Sequence, residues 1–400
     1  MKILILGGGP EQIIAIEEAK KIGYETIVCD GNKNAPGLKL ADIGLELNIR
    51  NRIRVLEVAK KFKVRGIFCH AVEIPEVVAF VSNSLNLPGL ELTAAENATN
   101  KEKRLKILSE NNIPVAHNYL IKNEKELYYY SNKLGFPLVI KPTDNAGSRG
   151  VSLVKNQKEL SIAYKEAIKY GYSNKVLIEE VLIGEQISTE SIIYEGKITH
   201  FAYADRNYEE AEYFYPFFIE NGINFPSIGT TIQKSKVLNL VEKTIEALGI
   251  NFGAAKGDVI IHKNQPYIIE MAARSSGGWF GAGSIPIATG VNPMNFLLKI
   301  SMGDSPDYKV LRKTRELGCA QRYWIPREEM IIEKIEGLTK IKNMEGVKLF
   351  SHSFPKSGTK LRKATNHSER YAQVICTGAS REEAIDRAER AIKSIKVITR

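Results

Sequence analysis

Three short apolar runs separated by helix-patterned segments set the tightest limit on what this chain can fold into. KILILGG opens the chain, YETIVCD covers Tyr24 to Asp30, and VRGIFCH covers Val64 to His70. Glu11 to Ile22, Asn51 to Phe62 and Val77 to Leu85 read as helices between and after them. Strand–helix alternation on this spacing predicts βαβ units and a parallel sheet. Ligands of such sheets gather at the carboxyl ends of the strands, where Gly7-Gly8-Gly9, Asp30 and His70 stand. The glycines do not complete a dinucleotide fingerprint, because Gln12 occupies the place of its third glycine. Asp30 equally reads as a turn residue, and His70 as a strand-end histidine with a satisfied hydrogen bond.

A second region begins near Asn97. Lys101 to Asn111 reads as a charged helix stopped at Ile113-Pro114. FPLVIKP is a strand that runs into the polar loop TDNAGSRG, and Val151 to Val154 returns from it. VLIEEVLIGEQISTESII reads as strand, hinge and strand, and Lys234 to Leu248 as a helix. From about Ser301 come three more strands, CAQRYWIP, VKLFSHSF and YAQVICTG, and a closing helix from Arg381 to Ile395. Ser380, with Glu383 three residues on, caps that helix. The chain shows no clear internal repeat and no low-complexity tract.

Length and composition limit the class of function. A chain of 400 residues holds two or three domains with a large core. Its 44% apolar and 26% charged content is ordinary for a soluble globular protein. No run approaches the roughly 18 apolar residues of a membrane span, and MKILILGGG reads as a buried strand rather than a signal peptide. Cys29, Cys69, Cys319 and Cys376 are scattered without a CxxC, which fits a cytoplasmic, reducing location and no zinc site. The net charge of +10 is spread along the chain, with no basic block interleaved with aromatics, so a nucleic-acid partner is not expected.

The chemistry lies in three weak signals taken in order. Gly147 and Gly150 let backbone N–H groups of the loop converge on an anion, Ser148 and Arg149 add donors, and Lys141 reaches it from the preceding strand. The spacing is not that of a P-loop, and a plain hairpin turn has the same residues. Next, Glu179 and Glu180 follow an apolar strand. Backbone groups there could meet an adenine edge, Val181 and Leu182 give apolar walls, and Glu185 could accept from ribose hydroxyls. Last, KGDVIIHKNQPYIIEMAARSSGG, Lys256 to Gly278, reads as a hairpin centred near Asn264. Asp258 and Glu270 then face each other with Cβ atoms roughly 5 Å apart. Two such acids repel unless a cation lies between them. Oxygen-only ligands favour Mg²⁺, which commonly accompanies phosphates.

In this order the residues resemble the ATP-grasp superfamily over essentially the whole chain, and most of all its carboxylate–amine (L-amino-acid) ligase and carbamoyl-phosphate-synthase-like branches. The resemblance implies an α/β fold, α+β in part, of three domains: a Rossmann-like parallel-sheet domain at 1–95, an ATP-grasp domain at 96–300 with a mobile lid near 115–185, and an α+β substrate or closure domain at 301–400. It implies ATP and Mg²⁺, with Mn²⁺ as a substitute. Lys101, Lys141, Gly147, Ser148, Gly150, Val151, Glu179, Glu180, Val181, Leu182 and Glu185 would hold the nucleotide, and Asp258 and Glu270 the metal. Arg274, with Lys141, would face the acyl phosphate. One departure stands at Ala272, where many relatives carry a metal-binding Asn; it puts a second metal ion in doubt.

The implied reaction joins a carboxylate to an amine through an acyl phosphate, releasing ADP and phosphate. The alternatives are a bicarbonate-using carboxylase and an ATP-binding module without catalysis. The expected partners are small-molecule carboxylate and amine substrates, with no membrane, and a homodimer is compatible. Trp279, Phe280, Asp205-Arg206, Arg322-Tyr323 and the run Tyr213 to Phe218 are candidates for the substrate wall, each with an equally good structural reading.

Overall fold

The computed structural model describes residues 1–399. The first region forms a four-stranded parallel sheet of order β3-β2-β1-β4, from β1 (Lys2–Leu6), β2 (Glu25–Asp30), β3 (Ile43–Glu46) and β4 (Gly66–Cys69). β3 lacks the continuous apolar run of its neighbours. It lies at the sheet edge and is only half-buried on alternate residues, so it carries no strong sequence signal. The glycine turn after β1 is packed shut: Gly8 N–H donates to Asp30 Oδ2 at 2.8 Å and Gly37 N–H donates to the Gly8 carbonyl at 2.7 Å. A Cβ on Gly37 would lie 2.7 Å from Gly8 Cα, so only glycine lets the two segments pack this closely. Asp30 closes the turn instead of meeting a ribose.

The next unit is an antiparallel sheet of order β5-β8-β6-β7, made of β5 (Asn118–Ile121), β6 (Leu138–Pro142), β7 (Ser152–Val154) and β8 (Val176–Glu180). Helices Glu124–Leu134 and Leu160–Tyr170 cover it with a core of its own around Leu127, Ile140, Leu160 and Ile178. The loop between β6 and β7 places Gly147, Ser148 and Gly150 at φ of 69°, 59° and 71°. Gly150 alone is crowded, with helix backbone at Ala167 3.2 Å from where a Cβ would stand, whereas Gly147 faces open space. Alanine at either position meets the left-handed penalty of about 1–2 kcal/mol. Gly150→Ala should therefore loosen the loop more than Gly147→Ala, read as faster amide exchange over residues 143–151.

The central sheet has eight strands in the order β13-β12-β9-β10-β11-β14-β18-β16. Its members are β9 (Gly184–Tyr194), β10 (Lys197–Asn207), β11 (Gly222–Phe225), β12 (Gly253–His262), β13 (Gln265–Ala272), β14 (Gly318–Trp324), β16 (Val347–His352) and β18 (Ala372–Gly378). A small sheet of β15 (Met330–Glu336), β17 (Lys360–Leu361) and β19 (Lys396–Thr399) completes the last region. The strands after residue 301 thus extend the same sheet as the hairpin of β12 and β13, rather than building a wholly separate one. Helix Thr231–Ala247 packs Val237, Val241 and Ile245 behind the sheet. Among the described residues no helix is long and apolar enough to cross a membrane.

The hairpin differs from its expected form in one respect. Its turn is only Lys263-Asn264, at φ of 47° and 62°, as in the two-residue turns that match strand twist. His262 pairs with Gln265 and Val259 with Ile268; left alone, this register would set Asp258 against Ile269. A bulge between Asp258 and Val259 shifts it by one, so Asp258 pairs with Glu270. The expected pairing holds, but the bulge produces it. Pro266, expected in the turn, lies in edge strand β13, where proline is tolerated.

Candidate active site

Register fixes which side chains share the face of Asp258. Asp258 pairs with Ser188, and Lys256 with both Glu190 and Ala272. Alternation then puts Gln186, Ser188 and Glu190 of β9, and Ala204 and Arg206 of β10, on that face. Asp258 is 3% exposed and accepts from Ser188 Oγ at 2.7 Å; Arg206 Nη1 lies 3.0 Å away and the Lys256 ammonium also contacts it. Burial would raise its carboxyl, but Arg206 and Lys256 hold it below the ordinary range. Glu270 has no ion pair within 4.0 Å among the described residues. Burial opposes its ionisation too, yet the fields of Lys101, Arg104, Lys256 and Arg274 prevail and hold it well down. The two acids are therefore charged and held apart by the chain's own cations, without needing an ion between them.

The phosphate-binding candidates stand nearby. Lys101 is the first residue of helix Lys101–Glu110, capped by Asn100, and its ammonium donates to the Asn145 carbonyl in the loop. Burial lowers it to about 8, with Glu270 opposing that shift. Lys141 pairs with Glu179 at 2.6 Å, so the strand-end lysine and the hinge acid are already joined. Ser148 Oγ lies 3.4 Å from His367 Nε2, and His367 N–H donates to the Gly147 carbonyl at 3.0 Å. The last region thus touches the loop through a histidine that carries no sequence signal. If Lys101 meets phosphate as a cation, ATP affinity should fall as pH rises past 8 and the ammonium discharges. The apparent KM for ATP should rise between pH 8 and 9.5, and Lys101→Gln should flatten that rise.

Glu180, Val181 and Leu182 lie at the passage from β8 to β9, each half-buried, with Glu180 Oε1 accepting from His117 N–H at 2.9 Å. Glu185 is not brought into the cluster. It pairs with Ile261, so its side chain belongs to the opposite face from Asp258, and it is exposed. Gln186, the next residue, has the correct parity and is half-buried. The error arose from spacing alone, since a period of two reverses the face with a shift of one residue.

Arg274 follows β13, and its Nε donates to Glu73 Oε2 at 2.6 Å. Burial opposes its charge, but Glu73 and Glu270 raise it further into the charged form. The segment after it is held by acids from other regions. Glu190 accepts from Ser276 N–H at 2.9 Å and from its hydroxyl, and Glu11 accepts from Gly278 and Trp279 N–H at 3.1 and 2.6 Å. Burial lifts both Glu11 and Glu190 to about 7. His70 Nδ1 meets Ser275 Oγ at 2.7 Å, and burial lowers the imidazole to about 3, so it is neutral. The first region thus closes over the segment that carries Arg274.

Strand parity also sorts the substrate-wall candidates. Arg206 bridges Asp258 and Glu220, whereas its neighbour Asp205 turns away to Arg381 at 2.8 Å. Tyr323 donates to the Gly278 carbonyl at 2.8 Å under the guanidinium of Arg370, whereas Arg322 points to Asn224. Phe280 is core, stacked on Phe225. Phe214 is core as well, while Tyr213 is 57% exposed. Lys256, Glu73, Glu11, Glu190, Glu220 and Arg370 were missed. Of these, Lys256 and Glu190 carry a detectable signal: charges on the same strand face as Asp258 within apolar strands.

The site also passes a chemical test for a metal. Among the described residues no group of three His, Cys, Asp or Glu side chains could hold an ion. Two facing carboxylates, one of them without a contacting cation, match an oxygen-ligated ion completed by phosphate. Ala272 offers no oxygen, and Lys256 opposite it directs its charge to Asp258.

Known proteins share this fold. Residues 106–274 match the family model "D-ala D-ala ligase C-terminus", and residues 322–400 match "L-amino acid ligase C-terminal domain 2". The crystal structure of an L-amino acid ligase from Bacillus licheniformis superposes with TM-score 0.85 at 22% identity, covering 100% of this chain and 98% of that one. A phosphoribosylglycinamide synthetase from Anaerococcus prevotii gives 0.75 at 21% identity, covering 100% and 99%. In sequence, a formate-dependent phosphoribosylglycinamide formyltransferase of Prochlorococcus marinus is 31% identical over 191 residues, 45% of this chain and 47% of that protein. The match thus spans about half the length of that relative. A counterpart from Saccharolobus solfataricus is 23% identical over 99% of this chain and 97% of its own length. The first family match, residues 106–274, contains the Asp258–Glu270 hairpin and the second lies beyond it, and the chain has the fold of these solved ligase and synthetase structures.

Proposed function

We propose that this chain is an ATP-dependent ligase that joins a carboxylate to an amine and releases ADP and phosphate. The observation that carries the reading is the facing pair Asp258 and Glu270 within the field of Lys101, Lys256 and Arg274. Phosphoryl transfer needs little covalent help; it needs positioning and neutralised charge. Lys101 and Lys141 hold the phosphates, with Gly147, Ser148, Gly150 and Val151 closing over them. Glu179 to Leu182 border the adenine, and Gln186 replaces Glu185 as the ribose contact. Asp258 and Glu270 would hold Mg²⁺, for which Mn²⁺ could substitute, and the bound ion would supply neutralisation of phosphate charge. The substrate carboxylate oxygen attacks the γ-phosphorus and ADP leaves. Arg274, fixed by Glu73, stabilises the acyl phosphate. The amine nitrogen then attacks the acyl carbon and phosphate departs. The departing phosphate takes up the amine's proton.

The likeness to an amino-acid ligase supports amino acids as the substrates. The test is phosphate release from ATP with amino-acid pairs, using one partner labelled with ¹⁸O in its carboxylate. Transfer of ¹⁸O into phosphate is the expected result. Release that depends on bicarbonate and not on an amino acid would establish the carboxylase reading instead. ATP binding without ADP release under any condition would leave only a binding module.

A further inference from the structure

A second cavity lies outside this site, about 210 Å³ in volume, between β10, the first turn of helix Thr231–Ala247 and the segment Lys313 to Leu317. Tyr203 pairs with Thr189, which pairs with Gly257, so its side chain is on the face of the sheet opposite Asp258. The cavity exists because β11 is short. Pairing between β10 and β11 ends at Asp205 with Asn224, and the backbone from Phe201 to Tyr203 has no strand beside it there.

Its polar groups are unevenly matched. The Tyr203 hydroxyl is buried and makes no hydrogen bond of good geometry, with the Ser227 hydroxyl close beside it donating to Asp205. An unmade hydrogen bond of this kind is costly unless something binds there. Lys234 lies 5.6 Å above the Tyr203 ring and has no carboxylate partner among the described residues. The other wall carries Lys313 paired to Glu316 at 3.3 Å.

We propose that this cavity binds a small zwitterion, a free amino acid or dipeptide, with its carboxylate on Lys234 and the Tyr203 hydroxyl and its ammonium on Glu316. The open backbone edge of β10 supplies further donors and acceptors. The proposal does not depend on the ligase reading.

The test is thermal shift and calorimetric titration of the full chain with each free L-amino acid, without ATP. At least one should bind wild type and Glu270→Gln equally. A charged hydrogen bond is worth about tenfold or more in affinity. Lys234→Ala, a change at an exposed side chain, should therefore weaken binding about tenfold, and Tyr203→Phe severalfold. The idea is overturned if no amino acid binds, or if both variants bind as wild type does. It is equally overturned if binding requires ATP and is lost in Glu270→Gln, which would place the amino acid at the ligase site.

Discussion

Glu270→Gln will lower ATP turnover by about 10³-fold, the scale of removing one group that stabilises phosphoryl or oxyanion charge. The substitution keeps volume, removes the charge and replaces one acceptor oxygen by a donor amide. In the native chain that charge lies in the field of four cations, Lys101, Arg104, Lys256 and Arg274, with none in contact. Losing it leaves a strongly positive site that still attracts phosphate but cannot orient a divalent ion. ATP affinity should therefore change less than turnover. Stability separates the two roles of the carboxylate. Its folded pKa lies below the unfolded value near 4.3, so it stabilises the fold above that pH and the gain is lost as pH falls. The stability gap between wild type and variant should be present at pH 7 and close towards pH 3. Turnover within tenfold of wild type would remove Glu270 from the metal site.

The sequence discloses local periodicity and turn chemistry well, and long-range pairing poorly. The run Ile3 to Leu6 is buried and forms an inner parallel strand, and Ser380 caps the closing helix as its spacing to Glu383 predicts. Asp258 and Glu270 could be paired because a hairpin is local. The same reasoning centred the hairpin near Asn264, within the observed turn, but the facing pair is reached only through a bulge, which leaves no clear mark in sequence. Glu185 was the cost of counting from a hinge without knowing the strand's phase. Glu73, Glu11 and Glu190 act on a segment 86 to 268 positions away, so no spacing could link them to Arg274, Ser276 and Trp279. Charged pairs in strands, such as Asp205-Arg206, announce that one member faces the site but not which one.

The same geometry predicts what happens when the central cation is removed. Arg206 donates through Nε and Nη2 to Glu220 at 2.7 Å and through Nη1 to Asp258 at 3.0 Å. Its own charge is secured against the opposing effect of burial by Asp258, Tyr208 and Glu220. Arg206→Met keeps the apolar stem and leaves two buried carboxylates facing each other. Removing one partner of a buried pair costs about 3–5 kcal/mol. The lower end applies here, because Lys256 still reaches Asp258 and Arg370 lies 3.8 Å from Glu220. Urea unfolding at pH 7 should show this loss in the free protein. Arg206→Lys should lose less but not recover, since an ammonium cannot span both acids as the guanidinium fork does. Adding Glu220→Gln to Arg206→Met should restore part of the loss, because the second change removes one of the stranded charges. If the single and double variants unfold alike, the bridge does not hold the acids. Wild type should by contrast resist metal chelation without unfolding. Arg206 and Lys256 already neutralise Asp258, so the fold does not depend on the ion proposed for the site.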